Sequence, residues 1–352
     1  MFVRDCWYVA AWDHELTPER PIGRTIIGEP VALYRAGNSG VVALADRCCH
    51  RFAPLSLGRV EGEELRCMYH GLKFDRSGRC TEIPGQDIIP ATACVKAYPV
   101  VERHSWIWVW MGDPAKADAR LIPPAVGMED PAWTLRSGQM DYEANYLLIN
   151  DNLTDFTHLS YVHANSFGAT EAFARTRPTV ERLDRGVRIW RWMNDGVRED
   201  APTRVHRRAE GDTFQTYDFL APGMLLMLTA TYPAGSAERF GQRPPDPGFV
   251  QPLAENFTSQ AVTPMTEKTS RYFFSWGPRA GDGADAVADA MLELAQMAFG
   301  EDKAIIEAQQ RSIDAAPDQK EILTSADVGP MQMRAVLQRL MRQEGSSAEA
   351  AA

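Results

Sequence analysis

The chain has 352 residues, 45% hydrophobic and 24% charged, a composition of ordinary soluble globular proteins with length for about two domains. A net charge of −10 excludes recruitment of nucleic acid or anionic lipid by bulk electrostatics, although an acidic face remains open to a basic protein partner. The apolar run Cys6 to Trp12 is too short for a signal-peptide core, and no later segment approaches the roughly 20 apolar residues of a membrane span. A cytoplasmic protein is expected, in which the six cysteines, all before residue 95, serve as thiols or metal ligands rather than as a disulfide frame.

Residues 1–115 read as a small all-β domain. Thr25 to Ile27, Val31 to Tyr34, Val41 to Leu44 and Trp106 to Trp110 are short β-branched or aromatic runs, separated by turn signals such as Gly37-Asn38-Ser39-Gly40. Inside this unit lies RCCHRFAPLSLGRVEGEELRCMYHGLKFDRSGRC, Arg47 to Cys80. Cys48 and His50 form a C-x-H pair; Cys67 and His70 form a C-x-x-H pair beyond it. Two thiolates and two imidazoles suit a Rieske [2Fe–2S] centre, in which two His replace two Cys on one iron. A Cys₂His₂ zinc site has the same inventory, but zinc motifs usually separate a Cys pair from a His pair, whereas each arm here mixes one of each. Cys6, Cys80 and Cys94 read as small apolar residues.

Gly112 to Pro131, with four prolines, reads as the connection to a second unit, residues 116–345. Asp141 to His163 carries helical periodicity. Val187 to Trp192, Phe214 to Leu220, Met224 to Tyr232, Phe257 to Thr263 and Ser270 to Trp276 read as strands, and Ala284 to Ile313 as one long helix. The fold class is therefore α+β, an antiparallel sheet gripped by a long helix. The Pro- and Gly-rich loop from Pro233 to Asn256 is long enough for a lid or a disordered segment. A last helix, Pro330 to Glu344, leads into an expected disordered tail at 346–352.

A Rieske cluster moves one electron at a time, so an enzyme needs a second centre. Asn152, Asp155 and His158 share a helical face at i, i+3, i+6, but His163 lies about 140° round an ideal helix from His158. A break between Leu159 and Val162 would bring both imidazoles to one ion. Two His and one carboxylate form the facial triad of non-haem Fe(II) oxygenases, with positions open for O₂. Asp302, flanked by Ala298, Phe299, Ile305 and Ile306, places an acid on an apolar stripe, which is costly unless it is paired or bound to metal. Glu301 is the rival. For an apolar substrate pocket the candidates are Phe167, Trp190, Trp192, Met227, Gln260 and Trp276.

CCHRFAPLSLG followed by CMYHGLKFDRSG resembles the signature of Rieske non-haem iron oxygenases, with Cys49 where that family usually has Pro. WYVAAW, VERHSWIWVWMGDP, DNLTDFTHLSYVHANSFG and VGPMQMRAVLQRLMRQE follow in family order and resemble in particular the vanillate O-demethylase and dicamba monooxygenase branch. The resemblance implies His158, His163 and Asp302 as iron ligands. It also implies a homotrimer in which His70 of one subunit reaches Asp155 of the next, and Asp155 in turn holds His158. Asn152 is expected to support this site. Electrons from NADH are expected to arrive singly through a separate flavin and iron–sulfur reductase. The implied reaction is O₂-dependent O-demethylation of a small methoxylated aromatic acid to a phenol and formaldehyde. N-demethylation or methyl hydroxylation on the same scaffold is the alternative within the class, and a Rieske electron carrier the alternative outside it.

Overall fold

The computed structural model describes residues 1–37, 40–193, 211–246, 248 and 250–351, the side chains of 346–351 excepted. It divides into two compact units. The first comprises Met1–Pro123, Thr263–Glu267 and Glu344–Ala352; the second comprises Pro124–Val262 and Lys268–Gln343. The first unit thus runs eight residues past the expected boundary at 115 and takes in two later segments.

Every expected strand of the first unit forms. Trp7–Trp12, Trp106–Trp110 and Val100–Arg103 make one sheet, and Ile22–Ile26, Glu29–Arg35, Val41–Ala45 and Ala97–Tyr98 another. A third sheet joins the short strands Arg59–Glu61, Glu64–Arg66, Lys73–Phe74 and Cys80–Glu82. Trp106 to Trp110 is buried on both faces, which explains an uninterrupted apolar run where a half-exposed strand would alternate. Tyr34, Leu44, Leu55, Leu65 and Phe74 form a core that also takes in Cys48 and Cys67. The ligand-bearing loops are therefore rooted in packed side chains. Asn38 and Ser39 of the expected turn lie outside the described residues.

The second unit is built on a seven-stranded sheet in the order Arg136–Tyr142, Ser270–Pro278, Ala254–Pro264, Met224–Pro233, Gly211–Leu220, Gly186–Met193, Thr179–Leu183. Arg136–Tyr142 pairs antiparallel with Ser270–Pro278, and the strands from Ala254–Pro264 to Thr179–Leu183 pair antiparallel in turn. The helix Ala284–Ala315 lies on the first two strands of that order, with the Phe299 ring 4.8 Å from Phe274 and 5.2 Å from Tyr272 between centroids.

Three segments depart from expectation. Asp141 belongs to a strand, and the helix after it spans only Tyr146–Thr154, capped by Asn145 Oδ1 on Leu147 N at 2.9 Å. It stops because Asp155 is extended (φ −132°) and caps a 3₁₀ turn, Phe156–Ser160, through its carboxylate on Thr157 N at 2.9 Å. The α-helix is therefore broken at Asp155, ahead of both histidines, and the 3₁₀ turn that carries His158 ends at Ser160, within the expected interval Leu159 to Val162. The Pro233 to Asn256 loop contains a short helix, Ser236–Arg239, and buries Ala237 and Phe240 beside Trp192, so it is packed; its Pro247 and Phe249 lie outside the described residues. The last helix runs Val328–Ala351, past the expected end at Glu344. Its end is rich in Ala and Glu, good helix formers that outweigh the single Gly345. Among the described residues, no helix is long and apolar enough to cross a membrane.

Candidate functional site: two metal centres

In the first unit, two loops of matching backbone geometry present the cluster residues. Cys48 N donates to Ala53 O at 2.9 Å and Phe52 N to Cys48 O at 3.0 Å; Cys67 N donates to Leu72 O at 2.8 Å and Gly71 N to Cys67 O at 3.0 Å. The fifth residue of each loop is left-handed, Phe52 at φ 61° and Gly71 at φ 79°. Glycine suits that conformation; Phe52 holds it with Arg47 stacked 4.1 Å over its ring. Cys48 and Cys67 are buried while His50 and His70 are exposed, with imidazole centroids 4.5 Å apart. Burial pushes the Cys48 thiol up to about 12, so a thiolate there needs a bound cation to draw the proton off. The buried-thiol, exposed-imidazole arrangement suits a [2Fe–2S] group whose His-bound iron faces solvent. Cys49, between Cys48 and His50, is half-buried, and nothing in the structure explains it.

In the second unit, ligand atoms of His158, His163 and Asp302 lie within 4.8 Å of one another. Asp302 Oδ1 is 3.2 Å from His163 Nε2 and 3.5 Å from His158 Nε2. Each imidazole is fixed from behind. His158 Nδ1 lies 2.8 Å from the Asp155 carbonyl, which only accepts, so Nδ1 carries the proton and the Nε2 lone pair faces the site. His163 Nδ1 lies 2.8 Å from Glu301 Oε2, which also takes the Ser166 hydroxyl at 2.6 Å, with the same result. These are the outer contacts that orient metal-binding histidines. Burial, the larger effect, lowers the His158 pKa. Burial acts the same way on His163, but the Asp302 and Glu301 carboxylates outweigh it and raise that pKa. Two imidazoles with inward lone pairs and one carboxylate fit a mononuclear Fe(II).

The rivalry between Asp302 and Glu301 resolves by azimuth on the helix. Asp302 is 5% exposed and aligned with buried Ala298, Phe299 and Ile306, whereas Ile305, expected on that stripe, is 55% exposed. Asn152 Nδ2 donates to Asp302 Oδ1 at 3.0 Å and lies 3.3 Å from His158 Nε2. The Asp155 carboxylate does not hold His158. It accepts from Thr157 N and Oγ1, and the main-chain carbonyl takes the imidazole instead, because the extended backbone at Asp155 aims that carbonyl at the ring.

A cavity of about 120 Å³ opens on His158, His163 and Asp302. Phe167, Met227, Gln260 and Trp276 line it as expected. Trp190 and Trp192 do not: side chains alternate along a strand, and in Gly186–Met193 it is Met193 that lines the cavity. Trp192 instead packs with Phe214, Tyr232 and Phe240 on the other face, with Trp190 against that cluster. Sequence reasoning missed Phe173, Gln215, Thr229, Asn256 and Phe299 among the lining residues. The alternation of Met227 and Gln260 with their neighbours marks Thr229 and Thr258; placing Gln215 and Asn256 beside Thr229 needs the cross-strand register. Asn256 Oδ1 accepts from Trp276 Nε1 at 2.8 Å, and the Phe167 ring stands edge-on to His163 at 5.0 Å, fixing two walls against the ligands.

An electron-transfer site in one unit and an oxygen-activating type of site under an apolar cavity in the other make the chain an oxidoreductase of the two-centre iron oxygenase class. Residues 6–99 match the Rieske [2Fe-2S] domain, and residues 142–343 the vanillate O-demethylase oxygenase C-terminal domain. The chain belongs to the Rieske non-haem iron oxygenases of the vanillate O-demethylase family. It is 41% identical over 98% of both chains to the iron–sulfur subunit TsaM1 of the toluene-4-sulfonate monooxygenase system of Comamonas testosteroni. Identity to a vanillate O-demethylase oxygenase subunit of Pseudomonas sp. is 31%, over 100% of this chain and 98% of that one. The crystal structure of dicamba monooxygenase bound to dicamba superposes with a TM-score of 0.85 at 33% identity, covering 98% of this chain and 99% of that one.

Proposed function

We propose that this chain is the terminal oxygenase of a multicomponent monooxygenase that hydroxylates a methyl carbon of a small aromatic acid, with an aryl methoxy carbon as the leading target. The observation that carries this reading is the 120 Å³ cavity bounded by aromatic rings and opening on His158, His163 and Asp302. An apolar cavity of about 150 Å³ takes up benzene, so about 120 Å³ is on the scale of a single aromatic ring. The relatives' names point the same way, to vanillate, dicamba and toluene-4-sulfonate.

Cys48 and Cys67 would hold one iron of the cluster and His50 and His70 the other. His158, His163 and Asp302 would hold the mononuclear Fe(II), which supplies O₂ activation when bound. Glu301 and the Asp155 carbonyl keep both imidazoles in the binding tautomer, and Asn152 steadies the Asp302 carboxylate. Phe167, Phe173, Met227 and Trp276 exclude water and hold the ring. Two electrons come from NADH through a separate flavin and iron–sulfur reductase. One oxygen atom of O₂ enters the methyl C–H bond and the other leaves as water; with a methoxy substrate the hemiacetal formed collapses to a phenol and formaldehyde. The active form is a homotrimer in which His70 of one subunit bonds Asp155 of the next, giving the electron a short bonded route.

A second reading, hydroxylation of a ring methyl to a benzylic alcohol, is favoured by the 41% identity to the toluene-4-sulfonate system. Incubation of the holoenzyme and a compatible reductase with methoxybenzoates and methyl-substituted aromatic acids separates the two. Formaldehyde matched to NADH consumed identifies O-demethylation, and benzylic alcohol without formaldehyde identifies methyl hydroxylation. NADH oxidation without either product from any member contradicts both.

A further inference from the structure

Arg191 is 3% exposed, and its Nε and Nη1 are fully buried without a hydrogen-bond partner. Among the described residues no carboxylate pairs with it. A buried cation without a counter-charge is costly, and chains that keep one have an anion to meet it. What meets the charge is neutral: the Tyr217 hydroxyl and the Phe173 ring, 4.6 Å from the guanidinium carbon, and Phe173 is itself a wall of the cavity.

Arg191 stands directly across from Gln215, Gln215 from Thr229, and Thr229 from Asn256. Opposed residues of antiparallel strands share a face, so Arg191 ends a polar row whose other three members line the cavity. One neighbour on that face is also unsatisfied: Gln215 Oε1 is buried without a partner, in a side chain exposed by 7%. The buried Tyr217 hydroxyl lies beside the Arg191 guanidinium and is neutral, so it brings no counter-charge. The row places its charge on the Gly186–Met193 side of the sheet, whereas Phe167, Trp276 and His163 cluster on the Ser270–Pro278 side.

We propose that Arg191, with the Gln215 amide beside it, anchors the oxyanion of an aromatic substrate, a carboxylate or a sulfonate, and so sets which end of the ring meets the ligand trio. This rests on the reading of the chain as an oxygenase of aromatic acids and adds the residue that recognises the acid. Arg191 is a binding and positioning residue: it fixes the ring and takes no part in bond changes. The guanidinium fork matches two oxygens of either anion, and a site built around a charge rejects a neutral analogue.

The test is calorimetric binding to the purified holoenzyme of two pairs of equal shape, 4-methylbenzoate against 4-methylbenzamide and toluene-4-sulfonate against toluene-4-sulfonamide. The wild type is expected to bind at least one anion about 30-fold or more tighter than its amide. The stronger anion identifies the natural headgroup. Arg191→Gln is expected to abolish that preference while leaving amide binding and the visible Rieske spectrum unchanged. Should Arg191→Gln fail to fold, Gln215→Glu supplies a second arm: its carboxylate pairs with Arg191 and competes with the ligand, weakening anion binding far more than amide binding. Equal wild-type binding of anion and amide, or parallel loss of both in either variant, overturns the anchor while leaving the oxygenase reading intact. Absence of binding by all four compounds, together with no turnover in the wider screen, overturns the oxygenase reading and the anchor with it.

Discussion

Glu301 Oε2 sits 2.8 Å from His163 Nδ1, while Asp302, the next residue on the same helix, faces His163 Nε2 at 3.2 Å. Adjacent acids thus face one imidazole at its two nitrogens, Glu301 setting the tautomer and Asp302 standing where it could share a bound ion. Asp302→Ala is expected to strip the mononuclear iron while leaving the Rieske absorbance intact. Glu301→Ala is expected to weaken iron binding by about 10- to 100-fold, the usual cost of an outer partner. Iron analysis after dialysis at graded chelator ranks the two; the reverse order would make Glu301 the ligand.

The same pair gives a pH dependence. Asp302 and Glu301 raise the His163 pKa above the ordinary 6.5 against the effect of burial, whereas His158 is lowered. Only the neutral imidazole binds metal, so iron uptake is expected to fall as pH drops through a midpoint above 6.5, set by His163. Glu301→Gln removes one of the charges that hold the proton and should move the midpoint down. An unmoved midpoint would assign the transition elsewhere.

Asp155 carries two separable roles. Its carboxylate caps the Phe156–Ser160 turn, and in the proposed trimer it also meets His70 of the next subunit. Asparagine retains a capping oxygen. Asp155→Asn is therefore expected to keep the fold and both metals yet lose NADH-driven turnover. Iron content and product formation measured on one preparation check this, and retained turnover would remove the inter-subunit bridge.

Trp192 and Trp276 should separate stability from substrate handling. Trp192→Ala empties a core site on the outer face of the sheet and is expected to cost about 3–5 kcal/mol in denaturant unfolding, with substrate affinity of the surviving native protein unchanged. Trp276→Ala opens the cavity and is expected to weaken substrate binding directly.

Much of this was legible because particular spacings permit few solutions. The C-x-H and C-x-x-H arms and the His158, His163, Asp302 set were visible since each needs specific donors, and the strands since their β-branched and aromatic runs were well punctuated. Glu301 and Asp302 are indistinguishable by type; about 100° of helix azimuth decides which of the two faces both imidazoles. Trp190 and Trp192 were misplaced because aromatic character suits a core and a pocket equally, and only register decides the face. Arg191 is hidden in the sequence for a related reason. One residue from Trp192 in sequence, it belongs to the cavity face, and its partnership with Gln215 exists only across strands. The Asp155 carbonyl, a main-chain group, leaves no mark in composition at all.

The central claim, one chain carrying an electron-delivering cluster and a separate oxygen-activating iron, is tested most directly by metal and sulfide analysis of the purified protein. About three irons and two acid-labile sulfides per chain are predicted, with one iron lost selectively in Asp302→Ala. Two irons with two sulfides, unaltered by Asp302→Ala, would leave an electron carrier, and zinc without sulfide would contradict the account altogether.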